Sequence, residues 1–213
     1  MSRYEKGHKA ETHRRVVEIA AQRFRSEGID GVGVASLMSD AGLTHGGFYA
    51  HFASKEALVK EALIVALESS SAYVRKDGEE STAPLDLRAF IDFYLSAAHR
   101  DKPGSGCAVA ALAPEAARRA RATRNAFSKE TQRLVARIAS GLTDVGSPEE
   151  RLAAAYGVFA QMVGSLQLSR TVADKALSDR LLAIGRANAA RLAGLDPFDE
   201  AEAKPIKRKV KKH

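Results

Sequence analysis

Apolar residues recur at three- and four-residue intervals along the whole 213-residue chain, the spacing of one buried face of an α-helix. Alternating β-branched runs of useful length are missing and Ala is frequent, so the pattern predicts an all-α protein of about nine helices. Val16, Val17, Ala20 and Phe24 predict a first helix over 13–27, capped by Thr12 and stopped at Gly28. A brief helix over 34–41 turns Leu37 and Met38 inward, Gly42 bends the chain, and Thr44 caps a second brief helix that reaches Phe52. Ser54 then caps a longer helix from Lys55 to about Lys76, with Leu58, Ala62, Leu63, Ala66 and Leu67 in one stripe.

The charged stretch 77–81 reads as a surface loop, with Pro84 in the first turn of a helix whose face is Leu87, Phe90, Ile91, Tyr94, Leu95 and Ala98. Residues 102–106 break the chain before a helix that starts near Cys107 and is kinked or restarted at Pro114. A helix through Phe127, Leu134, Ile138 and Leu142 follows, then an apolar helix over 152–171 and a last one through Leu177, Leu181, Ile184 and Leu192. These elements predict three regions: a helix-turn-helix domain over 1–53, a larger helical domain over 54–196, and a disordered basic tail over 197–213.

The formal charge of +7 is concentrated at the ends. Residues 204–213 carry six basic side chains and no acid, and four of the six His (His8, His13, His45, His51) fall in the first 60 residues. A polyanionic partner is the first expectation, and the tail adds weak phosphate affinity or merely solubility. One cysteine excludes an internal disulfide, and no zinc-finger spacing occurs. The N-terminal segment lacks an apolar signal stretch, and the 152–166 segment is too short and polar to span a membrane. A cytoplasmic protein with no metal or cofactor is expected.

The segment LMSDAGLTHGGFYAHFASK, residues 37–55, carries the chemistry. A helix-turn-helix lays one short helix across the DNA backbone and presents the start of a second to base edges in the major groove. Phe48 and Phe52, four apart, point inward as anchors, leaving Gly46, Gly47 and Ala50 on the opposite face, where small residues permit close approach to DNA. His45 and Tyr49 offer a ring and a phenol to bases or phosphates, and Lys55 with the N–H groups of the next helix can hold a phosphate. The bland alternative is a helical hairpin with an aromatic core.

The set Ala41-Gly42-Leu43-Thr44, Gly46, Phe48-Tyr49, His51-Phe52, Lys55-Glu56 and Leu58 resembles the signature of TetR-family transcriptional regulators. The resemblance covers residues 13–60; the later helices match in number and order only. It implies a homodimeric repressor, ligand-responsive and sequence-specific, that binds a palindromic double-stranded operator and carries an effector pocket in its C-terminal domain. Carried over by position, His45, Gly46, Gly47 and Tyr49 stand where relatives touch bases, and Thr44, His51 and Lys55 at or beside phosphate contacts. Gly33 replaces a capping Thr and Met38 replaces the usual Ala.

For an unidentified small-molecule effector, Phe90, Tyr94, Phe127, Tyr156, Phe159 and Met162 are candidate cavity-lining residues, with an ordinary core as the alternative. Four arginines at 118, 119, 121 and 124 either attract an anionic effector or form a solvated basic face. Cys107 follows a Gly-Ser-Gly break at a helix start, where the dipole favours a thiolate. It is either part of an effector site sensing oxidants or electrophiles, or a buried structural thiol. The last two helices, with Gly157, Ala160, Gly164 and Ser165 among apolar residues, are the expected dimer surface or else intramolecular core. Pairing Cys107 with a His as an enzyme lacks an orienting group, so no enzymatic activity is expected. Non-specific architectural DNA binding is the remaining alternative.

Overall fold

The computed structural model describes residues 3–71 and 83–196. Among these residues the regular structure is entirely helical. In chain order it consists of α1 (Arg3–Glu27), α2 (Val34–Asp40), a 3-10 helix (His45–Ala50), α3 (Lys55–Ser71), α4 (Leu87–Tyr94), α5 (Ala97–Arg100), a 3-10 turn (Pro103–Ser105), α6 (Ala108–Ala116), α7 (Arg121–Ala139), α8 (Pro148–Thr171) and α9 (Lys175–Leu192). The all-α expectation holds. The chain forms two compact units, one from the residues before 83 together with Lys102–Leu134, the other from Ala83–Asp101 with the residues from Val135 onward.

In the first unit, Val16, Ala20 and Phe24 of α1 and Leu58, Ala62 and Ala66 of α3 are fully buried. α1 and α3 run in the same direction, because His13 meets Glu61 near one end and Arg25 meets Ala66 and Ser69 toward the other. α1 begins ten residues before the expected start, so Thr12 lies inside the helix and is buried rather than acting as a cap. No Pro interrupts 3–12, and the single Gly7 costs about 1 kcal/mol in a helix interior, too little to stop it. α1 ends at Gly28, whose φ of +81° is the left-handed stop that glycine adopts without strain.

In the second unit, Pro84 precedes α4 instead of entering its first turn, because Asp86 supplies a stronger start signal: its carboxylate accepts the Ala89 N–H at 3.0 Å. The expected single helix through Ala98 is divided at Ser96, whose hydroxyl accepts the His99 N–H and starts α5. α8 opens with Pro148 in its first turn and a capping box: Ser147 Oγ accepts from Glu150 N–H, and the Glu150 carboxylate accepts from Ser147 N–H at 2.7 Å. These donors hold the Glu150 carboxyl below the usual range. α8 and α9 pack so closely that a Cβ on Gly185 would stand 2.5 Å from Ser165 Cβ. Arg100, buried, joins α5 to α9 by donating to Ser178 Oγ at 2.8 Å and to Asp179 at 2.6 Å. In the first unit, Pro114 falls within α6 rather than restarting it, and the next helix begins at Arg121.

Candidate nucleic-acid interface

Gly33 stands at the N-cap of α2 without a side-chain bond, and α2 runs seven residues with Leu37 and Met38 buried. Leu43 N–H reaches back to Met38 O at 2.8 Å and Gly42 takes φ +71°, which closes the turn. The next element is a 3-10 helix over His45–Ala50 and not the expected α-helix. Thr44 occupies its N-cap position with extended backbone and makes no side-chain cap bond. A tighter helix suits this stretch, since two adjacent glycines give α-helix formation a cost of about 2 kcal/mol in propensity.

Phe48 and Phe52 anchor the segment: both are buried, their rings stack at 5.4 Å, and His13 of α1 stacks on Phe52 at 4.3 Å. Between them, Tyr49 and Ala50 face out. Tyr49 is 71% exposed, with only an edge contact to Phe48 at 5.3 Å. Thr44, His45, Gly46 and Ala50 are exposed as well. A Cβ at Gly46 would meet nothing within 4 Å, whereas one at Gly47 would touch Met38 and Thr44 at ordinary contact distance. Thus Met38, in place of a smaller residue, fills the space beneath Gly47 without pushing the segment out.

His51 and Lys55 differ from freely exposed phosphate ligands. His51 is half-buried, its Nδ1 has no hydrogen-bond partner, and burial, followed by the charges of His13 and Lys9, pushes its pKa below the usual histidine value. Lys55 donates from Nζ to Val32 O at 2.7 Å, so its ammonium also fastens the loop before α2 to the start of α3. Ser54 caps α3 as expected, accepting from Ala57 N–H at 3.1 Å.

Sequence reasoning missed the residues that hold this head in place. Ile29 N–H donates to the Glu115 carboxylate at 2.8 Å, Arg119 pairs with Asp30 at 2.5 Å, and Thr123 Oγ1 donates to Glu56 at 2.7 Å. The Arg119 guanidinium holds the Asp30 carboxyl below its usual range. Of the four clustered arginines, Arg119 is therefore structural, while Arg118, Arg121 and Arg124 are exposed. Partners 67 to 89 residues apart leave no local signal in one sequence.

The candidate effector residues are divided. Phe90, Tyr94, Phe159 and Met162 are buried in the second unit, with Phe90–Tyr94 rings at 5.8 Å and Tyr94–Phe159 at 6.2 Å. Tyr156 of α8 is exposed. Phe127, half-buried, and Cys107, only 3% exposed, belong to the first unit. Burial withholds the Cys107 thiol from solvent. No described helix is long and apolar enough to cross a membrane.

Residues 16–62 match the family described as bacterial regulatory proteins, tetR family. No curated protein matches the chain. Solved structures share the fold. A TetR transcriptional regulator from Chloroflexus aurantiacus is similar at 23% identity and TM-score 0.68, over 89% of this chain and 97% of that one. A TetR-family regulator from Agrobacterium tumefaciens is similar at 20% identity and TM-score 0.67, over 86% and 98%. The reduced form of E. coli NemR is similar at 19% identity and TM-score 0.65, over 85% and 96%. Residues 16–62, which contain the anchored turn from Gly33 to Lys55, thus carry the match to the tetR-family regulatory proteins, and the all-helical fold is shared with solved regulators of that family.

Proposed function

We propose that the protein is a homodimeric repressor that binds a palindromic operator and releases it when a small molecule binds the C-terminal region. The observation that carries the DNA-reading part is the contrast between Phe48 and Tyr49: one ring fixes the segment to the core and its neighbour stands 71% exposed beside an open Gly46. An aromatic presented in this way on a soluble domain is fitted to a partner surface, and small neighbours let the backbone approach base edges. In this reading His45, Gly46, Gly47 and Tyr49 face bases, while Thr44, His51 and Lys55 lie along the phosphates.

Dimerisation through α8 and α9 is supported by the face they leave uncovered. Ala153, Gly157, Ala160, Gly164 and Leu168 follow one stripe of α8, and Leu168 is 57% exposed. A Cβ at Gly157 or Gly164 would meet nothing within 4 Å. Each mid-helix glycine costs about 1 kcal/mol relative to Ala, and close approach of a second copy offsets that cost. Ile184 and Leu192 extend the apolar surface on α9. Two heads related by a two-fold axis would meet major grooves about 34 Å apart.

The effector reading rests on the aromatic cluster of Phe90, Tyr94, Phe159 and Met162, which fits a small apolar or aromatic molecule. A ligand that prefers the non-binding arrangement by about 3 kcal/mol lowers operator affinity roughly 150-fold. The test is selection of bound duplexes from a random pool by the full chain, followed by affinity measurements with a compound panel. A palindromic consensus supports the operator reading; equal binding to scrambled duplexes leaves an architectural protein instead.

A further inference from the structure

We propose that the exposed face of α1 around Lys9 forms a second DNA-contact edge, in which the Lys9 ammonium, one turn before His13, grips a backbone phosphate next to the reading segment. The inference rests on the DNA-binding reading above and adds a surface outside the helix-turn-helix.

The position of α1 supplies the argument. Its His13 ring stacks on Phe52 at 4.3 Å and lies 6.3 Å from His51, so α1 sits against the exit of the reading segment. Lys9 precedes His13 by four residues, one turn nearer the N-terminus on the same stripe, and is exposed. His51 feels its charge. Because α1 and α3 run in the same direction, α1 also reaches the end of the unit where α3 begins. From Glu61 back to Lys55 is six residues, about 9 Å of helix, and the same count from His13 reaches Gly7. α1 continues four residues farther in that direction, to Arg3.

A duplex read by Tyr49 and Gly46 brings its phosphates along that end of the unit. The cation already assigned there, Lys55, spends a donor on Val32 O, whereas Lys9 stands exposed one helical turn from the aromatic anchor. The chemistry selects an anionic backbone over bases, since an ammonium on a flexible stem is a point charge without directional readout.

The test compares full-length wild type, Lys9→Gln and Lys9→Arg on two probes, a duplex selected from a random pool and a random-sequence duplex, in potassium chloride from 50 to 300 mM. Lys9→Gln is expected to lower the slope of log affinity against log salt by about 0.9 per protomer on both duplexes, with the selected-to-random ratio unchanged and the thermal midpoint preserved. Lys9→Arg keeps the wild-type slope. An unchanged slope in Lys9→Gln overturns the proposal. A wild type that shows no preference for the selected duplex overturns sequence readout instead, while the slope on the random duplex still decides the role of Lys9.

Discussion

The Glu115 carboxylate of α6 accepts the backbone N–H of Ile29 at 2.8 Å, at the point where α1 ends and the loop to α2 begins. Ile29 is fully buried, and Gly28 beside it holds φ +81°. The bond fixes where the reading head starts. Replacing Glu115 by Ala strands a buried donor, and a hydrogen bond to a charged group contributes about 1.5–3 kcal/mol. Chemical denaturation of Glu115→Ala should show a loss in that range, and a midpoint within error of wild type would refute it.

As a proposed base contact, Tyr49 should matter for binding and little for folding. With its side chain exposed, Tyr49→Ala should change stability by no more than about 0.5 kcal/mol. Its preference for a selected over a scrambled duplex should fall by about 1–3 kcal/mol, roughly 5- to 150-fold. Unaltered preference in a competition assay would remove Tyr49 from the reading face.

Lys55 should behave differently, because its ammonium bonds Val32 O in addition to its proposed phosphate contact. Loss of its 2.7 Å bond to Val32 O makes Lys55→Gln less stable by about 1 kcal/mol without DNA present. The variant should also flatten the salt slope by about 0.9 per protomer. Stability equal to wild type in a DNA-free melt would show that the carbonyl contact contributes nothing.

A charge at Leu168 tests the uncovered α8 stripe. The side chain is 57% exposed, so Leu168→Glu leaves the protomer folded. In the proposed dimer that carboxylate would be buried against a second copy, which is costly, so sedimentation should report a dimer for wild type and a monomer for Leu168→Glu at the same concentration. A Leu168→Glu protein that remains dimeric moves the interface elsewhere.

Acid should weaken the second unit through His99. Its ring is buried and Nδ1 lies 2.6 Å from Tyr94 O; burial pushes its pKa below the ordinary histidine value, the Tyr94 carbonyl opposes this, and the Arg170 charge adds to it. In the unfolded chain the ring gains a proton as pH falls through about 6.5, while in the folded protein it remains neutral to lower pH. The folded state therefore loses stability as pH drops below that value. His99→Gln should lose less stability than wild type between pH 7.5 and 5.5; equal losses would assign the effect to other groups.

Period and punctuation in the sequence determined most of the helices, because an apolar stripe every three or four residues and signals such as the Ser54 cap and the Gly28 stop act through bonds a few residues long. The Phe48/Phe52 anchors and the outward Tyr49 were legible for the same reason: four-residue spacing already separates an inner from an outer side. Tertiary packing decided the rest. It set Lys55 on Val32 O, assigned Arg119 to Asp30 out of four similar arginines, buried Cys107 and extended α1 to the edge beside His51. Those outcomes depend on partners brought together by burial of distant segments, and a contact energy between residues dozens of positions apart has no periodic trace along one chain.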